Sequence, residues 1–159
     1  MNARSRFTQS LALASLLLAG AASADPEFNV DFRPAENGQT RVLLSYLADN
    51  AVTALDFTVH LDVPDAFSAD VSKCLGSLPK SHTGLCRLDG KSLHGVIYSP
   101  ENRALPDANL GSVLVAPGSL AKSGGQLGVS GVDITTVTAN GQTVNANVRV
   151  QGQAIPPGK

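Results

Sequence analysis

The clearest pattern along this chain is an alternation of apolar and polar residues with a period of two. It is clearest within residues 52–63, where from Leu55 onward every second residue is apolar and those between are polar or charged. Because side chains of a β-strand point alternately to its two faces, this pattern predicts a strand with one buried and one solvated face. The buried face would carry Leu55, Phe57, Val59, Leu61 and Val63, and the solvated face Asp56, Thr58, His60 and Asp62.

A second alternating segment, residues 144–151, predicts another half-buried strand near the C-terminus. Its apolar positions are Val144, Ala146, Val148 and Val150. Weaker alternating runs, each bounded by Pro, Gly, Asn or Asp, predict further strands at 28–32, 41–47, 67–71, 93–98, 110–116 and 126–137.

Turn residues separate these segments. Asn37-Gly38 and Asn140-Gly141 each lie between extended runs and predict hairpins, because Asn-Gly adopts the positive φ angles of tight turns at little steric cost. The 15 Gly and nine Pro interrupt nearly every candidate helix, so little helix is expected. Many short, closely spaced strands predict an all-β fold, an antiparallel β-sandwich of the jelly-roll or immunoglobulin-like type.

The N-terminus carries the pattern of a secretory signal peptide. Arg4 and Arg6 precede an apolar run over 11–22 and the small-residue site Ala22-Ser23-Ala24. We expect cleavage after Ala24, a folded domain over 25–153 and a flexible tail over 154–159, in a protein that is secreted or periplasmic. The apolar run is shorter than the roughly 20 residues that a bilayer span needs, so no membrane span is expected in the mature chain.

The charge balance argues against nucleic acid as a partner. The leader contains two of the 12 basic residues and none of the 13 acidic ones, which leaves 10 against 13 in the mature chain. Nucleic-acid binding requires clustered Lys and Arg to displace counterions from phosphates, whereas the basic residues here are scattered.

The two cysteines, Cys74 and Cys86, bracket a segment rich in Gly, Pro and Ser. In an exported protein this arrangement predicts a disulfide that holds the segment in place. A metal site formed by Cys74, His82 and Cys86 is the alternative, although structural zinc has four ligands and usually a tighter cysteine spacing. Calcium binding by Asp62, Asp65 and Asp70 is a further alternative, but their spacing gives no calcium-loop pattern that we can defend, and acidic turn residues more often bond their own backbone. No cofactor and no metal are expected.

Motifs that could carry catalysis are weak. Two Ser-x-x-Lys matches, at 77–80 and 119–122, lie in segments that are not predicted to be helical, and the companion motifs of penicillin-interacting enzymes are absent. His60, His82 and His94 could each pair with a carboxylate as a general base, but surface or packing roles are commoner for isolated histidines. The chain is therefore predicted not to be an enzyme.

The order of the predicted segments resembles that of the cohesin domain and of the wider carbohydrate-binding-domain superfamily with the same sandwich. The matching segments are the strand at 41–47, the alternating strand at 52–62 with its turn at 63–67, the Gly-containing strand at 110–115, and the segment from 132 to 144. The resemblance implies a jelly-roll-like sandwich of about nine strands that acts as a non-catalytic binding or assembly module. Cohesins bind a dockerin through one sheet face, and relatives bind polysaccharide.

These observations give three hypotheses for function. The first is an exported cohesin-like module that binds a polysaccharide or an extracytoplasmic protein, through a sheet face or through the 74–86 loop. The second is a structural subunit of a cell-surface assembly that pairs strand edges, and the third is a small hydrolase. The chain has no Trp and only two Tyr, which disfavours a flat aromatic platform for sugars. The candidate binding residues are Lys80, His82, Arg87, His60 and Tyr98.

Overall fold

The computed structural model describes residues 25–48, 51–63, 67–116 and 127–152. Within them the chain forms ten strands and a single 3-10 turn at Glu36–Gly38, which confirms the predicted all-β fold. The predicted leader, its cleavage site and the 154–159 tail lie outside the described residues. The strands are β1 (Glu27–Pro34), β2 (Thr40–Leu47), β3 (Val52–Asp62), β4 (Ser68–Asp70), β5 (Thr83–Asp89), β6 (Ser92–Tyr98), β7 (Ala108–Ala116), β8 (Gly128–Thr138), β9 (Thr143–Val144) and β10 (Asn147–Gln151).

The strands form two five-stranded sheets. Sheet A has the order β10-β1-β2-β7-β4, and sheet B has the order β5-β6-β3-β8-β9. All neighbouring strands are antiparallel except β1 and β10, which are parallel. Both predicted Asn-Gly hairpins are confirmed: Asn37 and Gly38 have positive φ angles between β1 and β2, and Gly141 has one between β8 and β9.

The core lies between the sheets and is formed by the alternate apolar residues that the sequence pattern identified. On β3 the buried residues are Leu55, Phe57, Val59 and Leu61. The Phe57 ring packs on Phe28 of β1 with 4.8 Å between ring centroids, so this pair joins sheet B to sheet A. Gly95 on β6 lies against the same Phe57 ring, and the missing side chain makes room for it.

The prediction for the C-terminal segment is wrong in one respect. We expected a single half-buried strand over 144–151, but the chain divides there into β9 of sheet B and β10 of sheet A. The two residues between these strands carry the chain from one sheet to the other. Because β10 is an edge strand, it has a neighbouring strand, β1, on one side only. Its apolar residues Val148 and Val150 therefore remain 39% and 46% exposed.

Strand β5 was not predicted. The segment from Cys74 to Cys86 was expected to be a loop, whereas Cys86 lies inside an edge strand that pairs with β6. One missed signal is Asp89-Gly90, a typical hairpin turn. The other is the alternation before it, in which Leu85 and Arg87 point outward and Cys86 and Leu88 point inward. Gly90 has a φ of 56°, as this turn requires.

The predicted disulfide between Cys74 and Cys86 is present. Cys74 lies in a turn over 72–77 that packs on β7 of sheet A, where Ser112 N donates to Lys73 O at 2.9 Å and Ser77 N donates to Leu110 O at 3.1 Å. Since Cys86 belongs to sheet B, the disulfide links this turn to the opposite sheet.

We predict that Gly95→Ala destabilises the fold by about 1–3 kcal/mol, because the added Cβ overlaps the Phe57 ring in a filled core. Urea denaturation measures the difference. Gly128→Ala on β8 is the matched control: its Cβ would meet nothing closer than Asp62 Cβ at 3.7 Å, so a change below about 1 kcal/mol is expected. Equal effects of the two substitutions would contradict this description of the core.

We predict that replacing both cysteines by serine lowers the free energy of unfolding by about 3 kcal/mol, because the crosslink no longer restricts the unfolded chain. Urea denaturation of the double variant should match that of the wild-type protein in reductant. A loss below about 1 kcal/mol would show that the crosslink contributes little to stability.

Candidate functional site

The candidate site is the outer face of sheet B, where β5, β6, β3 and β8 lie side by side. The strand registers place four rows of residues across this face. From β5 to β8 the rows are Thr83–Tyr98–Ala54–Val137, Leu85–Val96–Asp56–Thr135, Arg87–His94–Thr58–Asp133 and Asp89–Ser92–His60–Gly131.

One end of this face is apolar. Leu85 is 71% exposed and lies opposite Val96, which is 43% exposed. Tyr98, two residues further along β6, is 49% exposed. Covering solvent-exposed apolar side chains with a partner lowers the free energy by roughly 25 cal/mol per Å² of apolar surface buried. We call Leu85, Val96 and Tyr98 the apolar cluster.

The other end of the face is polar and is organised around two histidines. His60 contacts Asp133 Oδ2 through Nε2 at 2.9 Å and Ser92 Oγ through Nδ1 at 3.0 Å. Because a carboxylate accepts, Nε2 of the neutral ring carries the proton and Nδ1 accepts from the Ser92 hydroxyl. His94 Nδ1 lies 2.9 Å from Thr58 Oγ1. These bonds fix the orientation of both rings across three strands.

Ser92, His60 and Asp133 are the residue types of a catalytic triad, namely a nucleophile, a base and a carboxylate. Their setting differs from that of a hydrolase, since all three lie on strands of an open sheet face. The backbone N–H groups of β3 and β6 serve the ladders on either side, because both strands are internal to sheet B. Among the described residues, the N–H groups of these two strands are therefore not free to bind a developing oxyanion, which acyl transfer requires.

Three of the five residues predicted from sequence share this face, namely His60, Arg87 and Tyr98. The other two lie elsewhere. Lys80 is exposed in the segment that precedes β5. His82 is buried, its Nε2 donates to Arg103 O at 3.1 Å and its Nδ1 accepts from Ser81 Oγ at 3.0 Å. These bonds give His82 a structural role.

The sequence did not single out several members of the face. Leu85 was missed because β5 was not predicted. Val96 and Asp133 were missed because only the strand registers place them beside Leu85 and His60. Outward positions of β6 could have been read from the alternation at 93–98, since Leu93 and Ile97 are the buried ones.

The metal alternative on Cys74, His82 and Cys86 is wrong, because the two sulfurs are bonded to each other. In the part of the chain that the structure describes, no group of three or more His, Cys, Asp or Glu side chains is placed to hold a metal ion. Asp65 of the calcium alternative lies outside the described residues. Among the described residues, no helix has the length and apolarity needed to cross a bilayer.

No protein-family model and no curated protein matches this sequence. The fold does match solved cohesin modules. A non-cellulosomal cohesin from Archaeoglobus fulgidus is 12% identical, with a TM-score of 0.53 over 79% of this chain and 87% of that one. The sixth cohesin of scaffoldin B from Acetivibrio cellulolyticus, solved in complex with a dockerin, is 17% identical, with a TM-score of 0.53 over 80% of this chain and 99% of that one.

A cohesin module of a family 33 glycoside hydrolase from Clostridium perfringens is 12% identical, with a TM-score of 0.50 over 77% of this chain and 97% of that one. At these identities the similarity establishes the fold. The chain has a cohesin-like β-sandwich.

We predict that His82→Ala lowers the free energy of unfolding by about 1–3 kcal/mol, because it removes two hydrogen bonds from a buried position. His60→Ala should change it by less than about 1 kcal/mol, because the His60–Asp133 pair is solvent-exposed. Thermal and urea denaturation distinguish the two. A larger loss for His60→Ala would assign that residue a structural role.

Proposed function

We propose that this chain is a non-catalytic, exported module that binds a protein partner through the outer face of sheet B. The observation that carries the proposal is the apolar cluster, three large side chains exposed together on paired strands. The cohesin-like fold supports it, since one solved module of this fold is described in complex with a dockerin. A partner of that kind would be a folded protein module.

The composition of the face favours protein over polysaccharide. Sugar-binding faces stack pyranose rings on exposed aromatic side chains. In the described part of the chain Tyr98 is the one exposed aromatic residue, Phe67 is half-buried, and Phe28, Phe32, Tyr46 and Phe57 are buried. An aliphatic pair beside a single tyrosine suits the apolar centre of a protein interface, and the surrounding Asp56, Arg87 and Asp133 suit its polar rim.

The proposed location outside the cytoplasm rests on two features. The first is the Cys74–Cys86 disulfide, because disulfides persist in oxidising compartments and are rare in the cytosol. The predicted signal peptide over 1–24 gives the route. The proposal that the chain lacks catalytic activity rests on the open setting of Ser92, His60 and Asp133.

A structural subunit that pairs strand edges is the second candidate. Its supporting observation is β5, an edge strand of seven residues whose outer side pairs with no described strand. Such an edge can accept a strand from another chain. Sedimentation of the purified protein distinguishes the candidates, because strand pairing between copies would produce oligomers, whereas the binding module is expected to sediment as a monomer.

We predict that Leu85→Asp and Tyr98→Asp each weaken partner binding at least about tenfold, because each places a charge in the apolar centre of the interface. The measurement is capture of partners from the envelope and secreted fractions of the source organism, followed by titration of the captured protein. Leu47→Asp is the matched control, since Leu47 is similarly exposed on β2 of sheet A.

Loss of the same protein partner in both sheet B variants, with retention in the control, supports the proposal. A polysaccharide panel runs beside the capture. Retention by one glycan without any protein partner would replace protein binding by carbohydrate binding, and ester hydrolysis abolished by His60→Ala would show that the chain is an enzyme.

A further inference from the structure

A second candidate site lies on the other sheet. A cleft of about 330 Å³ opens on the outer face of sheet A, between β2, β7 and the turn over 72–77. Its volume is at the lower end of the range for small-molecule sites. The side chains that line it are Arg41, Leu43, Lys73, Ser77, Asn109 and Ser112.

Local features of β7 build this cleft. A β-bulge between the pairs Ser45–Asn109 and Leu44–Gly111 inserts one extra residue into β7. Leu110 and Gly111 are both buried there, and Asn109 and Ser112 both line the cleft. Bulges of this kind redirect side chains next to binding sites.

The turn over 72–77 forms the second wall, and it can approach β7 closely only because residue 111 is glycine. A Cβ at Gly111 would overlap the carbonyl oxygens of Lys73 and Cys74. The bonds from Ser112 N to Lys73 O and from Ser77 N to Leu110 O fasten the turn, and the disulfide holds Cys74 from the other sheet. The wall is therefore fixed before any ligand arrives, which lowers the entropic cost of binding.

Two cationic side chains line the cleft. Arg41 and Lys73 both line it, no carboxylate does, and neither cation forms an ion pair with a described carboxylate. The nearby Asp70 is bonded to the turn itself. Hydrogen bonds from Ser72, with a smaller contribution from the charge of Lys73, lower the pKa of Asp70. The negative charge of Asp70 therefore offsets part of the positive charge of Lys73.

We propose that this cleft binds a hydroxylated carboxylate of the size of one uronic acid unit. The Arg41 guanidinium can bond a carboxylate through two parallel N–H groups, and the Lys73 ammonium adds a second positive charge. The Asn109 amide and the hydroxyls of Ser77 and Ser112 provide donors and acceptors for sugar hydroxyls. Leu43 offers an apolar patch for the carbon skeleton.

The site is on the opposite sheet from the protein-binding face proposed above. Leu85 and Tyr98 do not line it, so either proposal can fail without affecting the other. A module with both sites would hold a protein partner on sheet B and an acidic saccharide on sheet A.

The test is a titration of the exported, disulfide-intact protein with D-glucuronate, D-glucose and inorganic sulfate, followed by NMR of the backbone amides. Saturable shifts at Lys73, Gly76 and Ser112 are expected with glucuronate. Arg41→Gln and Lys73→Gln should each weaken the affinity at least about tenfold, the effect of losing one or more charge-assisted hydrogen bonds. Arg149→Gln, which removes a cation from β10 of the same sheet, is the control and should bind as the wild type does.

Thermal denaturation verifies that each variant is folded, and both cleft substitutions are at exposed positions. Absence of shifts at the cleft with glucuronate would overturn the proposal. Equal binding of glucose would overturn the role of the carboxylate, and equal binding of sulfate would overturn the assignment of a sugar. Equal weakening by Arg149→Gln would show that only the net charge of the sheet matters.

Discussion

Burial of alternate residues of β3 organises the sandwich. β3 lies in the middle of sheet B and pairs with β6 on one side and β8 on the other. Phe57 is held between Phe28 of the opposite sheet and Gly95 of the neighbouring strand. Because strand side chains alternate strictly, fixing Phe57 inward also fixes Asp56, Thr58 and His60 outward. The core thereby determines which side chains the candidate face presents.

Much of the fold could be predicted from the sequence, because the signals for strands and turns are local. The alternation over 52–63 and the Asn-Gly turns each report on a few consecutive residues, and the structure confirms them. The division of the C-terminal segment between two sheets was not predictable in this way, since Val148 and Val150 keep the alternation of a half-buried strand. Their exposure depends on which strands lie beside them, and that is a property of the whole sandwich.

The site was predictable only in part for the same reason. His60, Arg87 and Tyr98 were identified as polar or aromatic residues on or near strands, but their arrangement on one face depends on the registers of three strands. His82 is of a residue type common in binding sites, and its structural role becomes clear only from its burial and its hydrogen bonds to Ser81 and Arg103. The cleft on sheet A gave no sequence signal, since Arg41, Lys73 and Asn109 lie far apart along the chain and meet through a bulge and a disulfide-held turn.

The proposed function requires that a protein partner cover the apolar cluster on sheet B. Hydroxyl-radical footprinting of the isolated complex tests it most directly, because the label reports the solvent exposure of individual side chains. Binding through sheet B is expected to protect Leu85 and Tyr98 from oxidation and to leave the similarly exposed Leu47 of sheet A unchanged. Protection of Leu47 with continued labelling of Leu85 and Tyr98 would contradict it.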